Sequence, residues 1–102
     1  MNGPEKIICA AIWYNDQPTA KILPKNIHKG VVVCGLRHGH CIATFVALTG
    51  KRSVIPESGE YVQGFITNKD RFVDRGEAIV IAMRSNQIGN SSNTQLFSED
   101  LY

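Results

Sequence analysis

The residues best suited to chemistry lie in the stretch 63–88, where aromatic, arginine and short polar side chains surround the predicted start of a helix. They are Phe65, Asn68, Asp70, Arg71, Phe72, Asp74 and Arg75. Aromatic faces stack on nucleobases, and the planar guanidinium fork matches the geometry of a phosphate. Asp and Asn groups can read base edges or ribose hydroxyls. The pattern favours a nucleotide-type ligand, although each phenylalanine considered alone is typical of a core residue.

A second arginine stands at another predicted helix start. Arg37 is followed by His38 and His40, and the helix they open offers free amides and the positive end of its dipole. These groups attract anions, and Arg37 with His38 can donate to a phosphate. The alternative is that both residues are solvated connectors.

Three cysteines and two histidines raise the question of a metal or a nucleophile. Cys34, His38, His40 and Cys41 lie within eight residues, but their spacing does not place paired ligands on one face. We therefore expect no metal, and we expect Cys9, Cys34 and Cys41 to be buried packing residues. No paired carboxylates and no Ser/His/Asp set stand out, so the sequence predicts no catalytic site.

The elements that must position these residues follow from apolar periodicity. Ile7–Tyr14 is almost uninterruptedly apolar, as expected of a central strand, and 31–34 and Tyr61–Thr67 read as further strands. A helix follows Arg37, with an apolar face of Cys41, Ile42, Phe45, Val46 and Leu48 and a stop at Gly50. The order strand, strand, helix, strand, helix predicts an α+β fold, an antiparallel sheet packed with two helices.

The second helix carries the strongest local signals. Asp74 stands three residues before Glu77, the spacing of an N-cap and its partner. Six consecutive apolar residues, 78–83, then point all the way round the helix. A chain this short has little to cover such a helix, so we expect a second copy of the chain to pack against it.

The remaining segments are predicted from composition. Residues 53–60 contain Pro56 and Gly59 and are predicted to form a loop. Residues 89–95 are small and polar and are predicted to be a flexible connector, whereas 96–102 are too apolar for a solvated tail and are predicted to dock.

Composition limits the class of protein. With 102 residues and 43% hydrophobic content, residues 1–102 are expected to form one ligand-binding domain of a folded soluble protein. The net charge of +2 is too small to favour bulk nucleic acid or an anionic membrane. An odd number of cysteines and a polar N-terminal stretch fit a reducing cytoplasm, and no apolar run is long enough for a membrane span.

Several motifs resemble those of a known family. They are G-x-R-H at residues 35–38, Q-G-F-I-T at 63–67, R-F-V-D-R-x-E-A at 71–78, S-N-Q-I at 85–88 and L-F-S-E-D-L-Y at 96–102. Together they are similar to a family of small bacteriophage proteins that includes the first-described Thoeris anti-defence sponge. The resemblance covers most of the chain from Ile7 on.

The resemblance implies a function and an assembly. Proteins of this family are not enzymes; they sequester the cyclic ADP-ribose-type signal of bacterial TIR-domain sensors, and some resemble sponges for cyclic oligonucleotides. It implies a homo-oligomer, a dimer or higher up to a hexamer, which assembles through its helices with ligand pockets between subunits. It requires no cofactor and places the protein in the host bacterial cytoplasm. The motif residues it assigns to the pocket are Arg37, His38, Phe65, Arg71, Asp74 and Arg75, and Asn68 and Arg84 are further candidates nearby.

Two departures from the family and two rival functions complete the expectations. The polar loop 15–29 is longer than expected, and 88–95 lack the basic residues expected before the last motif. One rival is a small phosphodiesterase that cleaves cyclic nucleotides with His38 and His40. The other is a structural interaction protein whose Arg and Phe residues form only subunit contacts.

Overall fold

A single antiparallel sheet forms the frame of the protein. The structure, a computed structural model, describes residues 4–50, 61–89 and 92–101. Its elements are β1 (Ile7–Tyr14), β2 (Val31–Gly35), α1 (His38–Thr49), β3 (Tyr61–Thr67), β4 (Phe72–Asp74), α2 (Arg75–Arg84) and a short 3-10 turn (Ser98–Asp100). The strand order is β2-β1-β3-β4, with every neighbouring pair antiparallel. The predicted α+β fold is confirmed.

The central strand β1 is buried on both faces, as predicted. Alternate residues from Ala10 to Tyr14 share one core cluster with α1 and α2, because successive side chains of a strand point to opposite faces. Ala11 packs on the other face in a smaller cluster with Ile27 and Phe72. The long loop between β1 and β2 contributes Ile27, so that loop covers the second face of the sheet.

Helix α1 confirms the predicted stop but not the whole predicted apolar face. Gly50 ends the helix in the left-handed conformation, with φ of 72°, a geometry that glycine adopts without strain. Cys41 and Phe45 are buried, whereas Leu48 is 79% exposed. The prediction for Leu48 was wrong because no described element covers the last turn of α1.

Helix α2 begins as predicted, and its own chain covers most of its apolar run. The Asp74 carboxylate accepts the Glu77 amide at 2.8 Å, which is an N-cap. The sheet and the C-terminal segment bury Ala78, Ile79, Ile81 and Ala82, while Val80 remains 39% exposed. The run by itself therefore does not require a second copy of the chain, and the packing of a second copy against α2 stays a prediction.

The start of α2 is held against the sheet by a glycine. A Cβ at Gly64 would lie 2.0 Å from the carbonyl oxygen of Val73, so only glycine allows β3 and β4 to come this close. Since Asp74 ends β4 and Arg75 begins α2, this approach sets the position of the candidate site described below.

The C-terminal segment docks in part. Leu96 is fully buried and its amide donates to the Arg75 carbonyl at 2.9 Å. Ser98 is also buried, but Phe97 is 45% exposed, so the prediction of a docked apolar segment fails for that side chain. The predicted loop 53–60, residues 90 and 91 of the predicted connector, and Tyr102 lie outside the described residues. Within the described ranges, neither helix has the length and apolar character needed to cross a membrane.

The S-N-Q-I motif has a structural role at the irregular end of β1. The side-chain amide of Gln87 donates to the Ile7 carbonyl and accepts the Ile7 amide, both at 2.7 Å. It thereby pairs the backbone of β1 where the register with β3 shifts. Asn86 precedes it with a φ of 61°, which asparagine tolerates better than most residues. The motif therefore joins the end of α2 to the sheet.

Candidate functional site

Arg75 is the centre of the candidate site, because its side chain joins four segments of the chain. Its Nη1 donates to the carbonyl of Leu96 at 2.9 Å. Its Nη2 donates to the Gln63 side-chain oxygen of β3 and lies 3.3 Å from Nδ1 of His38 in α1. A guanidinium group has five N–H donors in a rigid fork, so one side chain can hold all three partners in place.

One face of this guanidinium is covered by an aromatic ring. The Phe97 ring lies 4.6 Å from the Arg75 Cζ, a cation–π contact, and about half of Phe97 remains accessible. Two N–H donors of Arg75, Nε–H and the second of Nη1, have no partner in residues 4–50, 61–89 and 92–101. Burial lowers the pKa of Arg75 while Glu99 raises it, and the guanidinium stays charged. The site therefore presents a cation with spare donors beside an accessible ring.

His38 lies beneath this cluster as a neutral side chain. Its Nε2 is 2.7 Å from the Gly64 carbonyl oxygen, which can only accept, so Nε2 carries the proton. Nδ1 is then free to accept from Arg75. Burial lowers the pKa of His38, and the positive charge of Arg75 lowers it further. Both ring nitrogens are thus used to position Arg75 on the sheet.

An open cleft of about 500 Å³ lies beside Arg75. Its lining residues are Gln63, Asp74, Arg75, Gly76, Thr94 and Gln95. The side chains in this lining are of polar types and include one cation and one carboxylate. At its floor, a Cβ added to Gly76 would meet Asp74 Oδ1 at 3.5 Å and the Thr94 carbonyl oxygen at 3.7 Å. A single methyl group would therefore occupy the gap between the start of α2 and the C-terminal segment.

Four of the predicted site residues come together here, and one of them has a different role from the one predicted. His38, Asp74 and Arg75 contact or line the cluster, and Phe65 touches it through an edge-on contact with His38 at 5.0 Å between ring centroids. Phe65 is fully buried, however, so its ring cannot stack on a ligand. That expectation is corrected: the accessible ring is Phe97, and Phe65 supports His38 from the core.

Arg71 and Asn68 lie elsewhere and hold the N-terminal segment. Arg71 makes a two-pronged ion pair with Glu5, at 2.8 and 2.9 Å, and also binds Glu77 at 2.8 Å. The Arg71 hydrogen bond is the largest cause that holds the pKa of Glu5 at about 2. Asn68 accepts the Lys6 amide at 2.9 Å. The resemblance assigned Arg71 to the pocket, but in the structure two carboxylates occupy its guanidinium.

Arg37 and Arg84 are also not part of the Arg75 cluster as described. Arg37 precedes α1 in an extended conformation, and its carbonyl accepts the amides of His40 and Cys41. Arg84 ends α2, and a rise of 1.5 Å per residue places it about 14 Å along the helix from Arg75. Within the described part of the chain, Arg84 has no contact with Arg75, Gln63 or Phe97.

Four residues of the site were not predicted from the sequence: Gln63, Phe97 and the two cleft residues Thr94 and Gln95. Gln63 had a usable signal, because it is two residues from Phe65 in a strand and therefore shares its face. Phe97 lies in the segment 96–102, which was predicted to dock. A phenylalanine between a buried leucine and a buried serine is expected to point the other way in an extended chain, toward solvent.

The thiols and imidazoles do not form a metal centre among the described residues. No group of three or more possible ligands comes together there. Cys41 is buried as predicted, but Cys34 is exposed and Cys9 is half-buried, which corrects the prediction for those two. The neighbouring thiol of Cys34 on β2 is the main cause that lowers the pKa of Cys9 to about 7.

Comparison with known proteins places the chain in a family without adding a relative of known structure. No curated protein and no solved structure matches the chain. A family model described as Phage T4 y16D protein matches residues 6–102, which includes every strand and helix described above. The chain therefore belongs to the Phage T4 y16D family of phage proteins.

Proposed function

We propose that this phage protein is an anti-defence sponge, which binds a cyclic ADP-ribose-type or cyclic oligonucleotide messenger in the host bacterial cytoplasm and holds it without cleaving it. The effect would be to silence immunity of the Thoeris or CBASS type. The observation that carries the proposal is Arg75, a charged guanidinium with two N–H donors that no described residue uses. It lies under an accessible aromatic ring beside an open cleft.

The chemistry of this arrangement suits both halves of a nucleotide. Phe97 supplies an apolar face on which a purine can stack, worth about 1–3 kcal/mol. The spare donors of Arg75 and the amides at the start of α2 can hold a phosphate, and charge-assisted hydrogen bonds contribute about 1.5–3 kcal/mol each. The motif blocks that resemble phage sponges include Arg75 and Phe97, which supports the same ligand class.

Sequestration requires tight binding and no turnover. A nanomolar dissociation constant corresponds to about −12 kcal/mol, which a stacked base and several charge-assisted bonds can supply. The phosphodiesterase alternative needs a free imidazole, but both ring nitrogens of His38 are engaged. His40 is exposed and lies two residues further along α1, so its side chain points in a direction about 200° around the helix axis from that of His38.

The proposal includes assembly through the helices. Leu48 of α1 and Val80 of α2 are exposed apolar side chains that a second copy could cover. The resemblance to phage sponges implies pockets shared between subunits, so a partner would complete the open side of the cleft. Light scattering at micromolar concentration is expected to give at least twice 11.3 kDa. A monodisperse monomer would contradict both the oligomer and the shared pocket.

The decisive experiment is binding followed by recovery of the ligand. The protein is mixed with cyclic ADP-ribose isomers and with cyclic di- and trinucleotides, unbound ligand is removed, and the protein is heated to release what it held. Intact ligand in a one-to-one ratio to sites supports the sponge, whereas a cleaved product supports the phosphodiesterase. A protein whose melting temperature does not respond to any of these compounds supports the structural alternative.

A surface variant tests the site with little effect on folding. Phe97→Ala removes an accessible ring and is expected to weaken binding by about fivefold to a hundredfold, from the loss of one stack. Ile22→Ala is the matched control, because Ile22 is 90% exposed in the loop between β1 and β2. Equal affinity of Phe97→Ala, Ile22→Ala and the parent would show that the messenger binds elsewhere.

A further inference from the structure

One carboxylate oxygen of the cleft, Asp74 Oδ2, takes no part in the phosphate and base contacts proposed above. Asp74 Oδ1 accepts the Glu77 amide as the cap of α2. Asp74 Oδ2 has no hydrogen-bond partner in the described part of the chain, and the side chain lines the cleft next to Arg75. An ionised carboxylate only accepts hydrogen bonds, so the group that meets Oδ2 must be a donor.

We infer that Asp74 is the residue that makes this site specific for a ribose, by accepting a ribose hydroxyl on Oδ2 while Arg75 holds a neighbouring phosphate. The inference rests on the proposed function, because it assumes a nucleotide in the cleft. A phosphate alone would be repelled by Asp74, so the carboxylate would be a cost in a site built only for anions. A ligand that carries a phosphate and a hydroxyl a few ångströms apart satisfies both side chains at once.

The glycine at the floor of the cleft supports the same assignment. Gly76 is the second residue of α2, and a glycine in a helix is less stable than an alanine by about 0.5–1 kcal/mol. Its φ is not positive, so the backbone conformation does not demand glycine. The missing methyl group instead leaves open the space next to Asp74 Oδ1 and the Thr94 carbonyl, where a sugar ring can approach the backbone.

The substitution Asp74→Asn tests the inference without removing the helix cap. Asparagine caps a helix as well as aspartate does, so its oxygen can keep the Glu77 amide while its NH₂ replaces Oδ2. A charged acceptor for the ribose hydroxyl thus becomes a neutral donor, from which the hydroxyl can accept only a weaker hydrogen bond. Asp70→Asn is the charge-matched control, because Asp70 is exposed in the β3–β4 turn with φ of 59°, which asparagine tolerates.

The measured quantity is the ratio of affinities for a ribose ligand and its 2′-deoxy analogue, by calorimetry or NMR titration. The pairs are cyclic ADP-ribose with 2′-deoxy cyclic ADP-ribose, and AMP with 2′-deoxy-AMP at millimolar concentration. The parent and Asp70→Asn are expected to prefer the ribose form by about tenfold to a hundredfold, the worth of a hydrogen bond to a charged group. Asp74→Asn is expected to reduce that preference by about fivefold to tenfold, the difference between a charge-assisted and a neutral hydrogen bond.

The outcomes separate this inference from the proposed function. If the parent binds a cyclic messenger but Asp74→Asn keeps the ribose preference, or the parent shows none, the inference is overturned and the sponge stands. If AMP binds with a ribose preference that depends on Asp74 while no cyclic messenger binds, the sponge is overturned and the inference stands. If no ribonucleotide binds, both are overturned.

Discussion

Gly76 allows a test in which stability and binding are expected to change in opposite directions. In Gly76→Ala the added Cβ lies 3.5 Å from Asp74 Oδ1 and 3.7 Å from the Thr94 carbonyl, which are ordinary van der Waals contacts. The unliganded protein therefore accommodates the methyl group without a clash. Replacing a helical glycine by alanine raises the free energy of unfolding by about 0.5–1 kcal/mol, because the unfolded chain loses conformational freedom.

The effect on ligand binding follows from the same two contacts. The methyl group fills the floor of the cleft, so a sugar or phosphate that approaches the backbone there must shift. An additional methyl group in a packed site costs about 1–3 kcal/mol, which is roughly a fivefold to hundredfold loss of affinity. In a domain of this size the gain in stability raises the melting temperature by about 2–8 °C.

A matched control lies in the other helix. Gly39 is the second residue of α1, as Gly76 is of α2, and a Cβ at Gly39 would meet nothing within 4 Å. Gly39→Ala is therefore expected to raise the melting temperature by a similar amount and to leave messenger affinity unchanged. Differential scanning fluorimetry and calorimetry of the two variants measure both quantities.

Two results would refute this reasoning. If both variants melt higher and both bind the messenger as the parent does, the ligand does not reach the floor of the cleft. If Gly76→Ala instead melts lower than the parent, the space beside Asp74 is not available to a methyl group, and the argument for an open cleft floor fails.

Three further predictions concern the scaffold. Arg71→Ala is expected to lower the free energy of unfolding by about 1–2 kcal/mol while messenger affinity stays the same, because Arg71 binds Glu5 and Glu77 rather than the cleft; weaker binding at unchanged stability would contradict this. Gly64→Ala is expected to lower the free energy of unfolding by about 3 kcal/mol or more in urea denaturation, because the new Cβ would lie 2.0 Å from the Val73 carbonyl. A change below about 1 kcal/mol would show that β4 can move away at little cost. The pKa of Glu5 is lowered from 4.5 to about 2, so its ion pair stabilises the protein fully above pH 4.5 and the contribution is lost as the pH falls to about 2. Glu5→Gln is expected to flatten the stability profile in that window, and an unchanged profile would contradict the assignment.

Local sequence determined three of the four described strands, both helices, the start of α2 and the end of α1. The apolar run of β1, the Asp74–Glu77 cap and the glycine that ends α1 each depend on residues within a few positions of one another. Such signals are readable because strand alternation, capping and left-handed glycine are properties of short segments. The fold class followed from the order of those elements.

Only the tertiary structure decided the roles of the two arginines, which are equivalent by local criteria. Arg71 and Arg75 are four residues apart, but the partner of Arg71 is 66 residues away in the chain and the nearest imidazole to Arg75 is 37 residues away. The guanidinium of Arg71 is neutralised by two carboxylates, whereas that of Arg75 has N–H donors beside the cleft that no residue in the described ranges uses. No local pattern encodes which distant acid or histidine arrives beside a given arginine.

The same limit explains the aromatic and thiol residues. Phe65 and Phe97 are both phenylalanines next to motif residues, yet one is fully buried and the other is 45% exposed. Cys34 lies in a strand of apolar residues but is exposed. The loop residues that cover this face of the sheet, Ile27 and Leu23, pack against other residues there. Burial is a property of what packs above a residue, and that covering element comes from elsewhere in the chain.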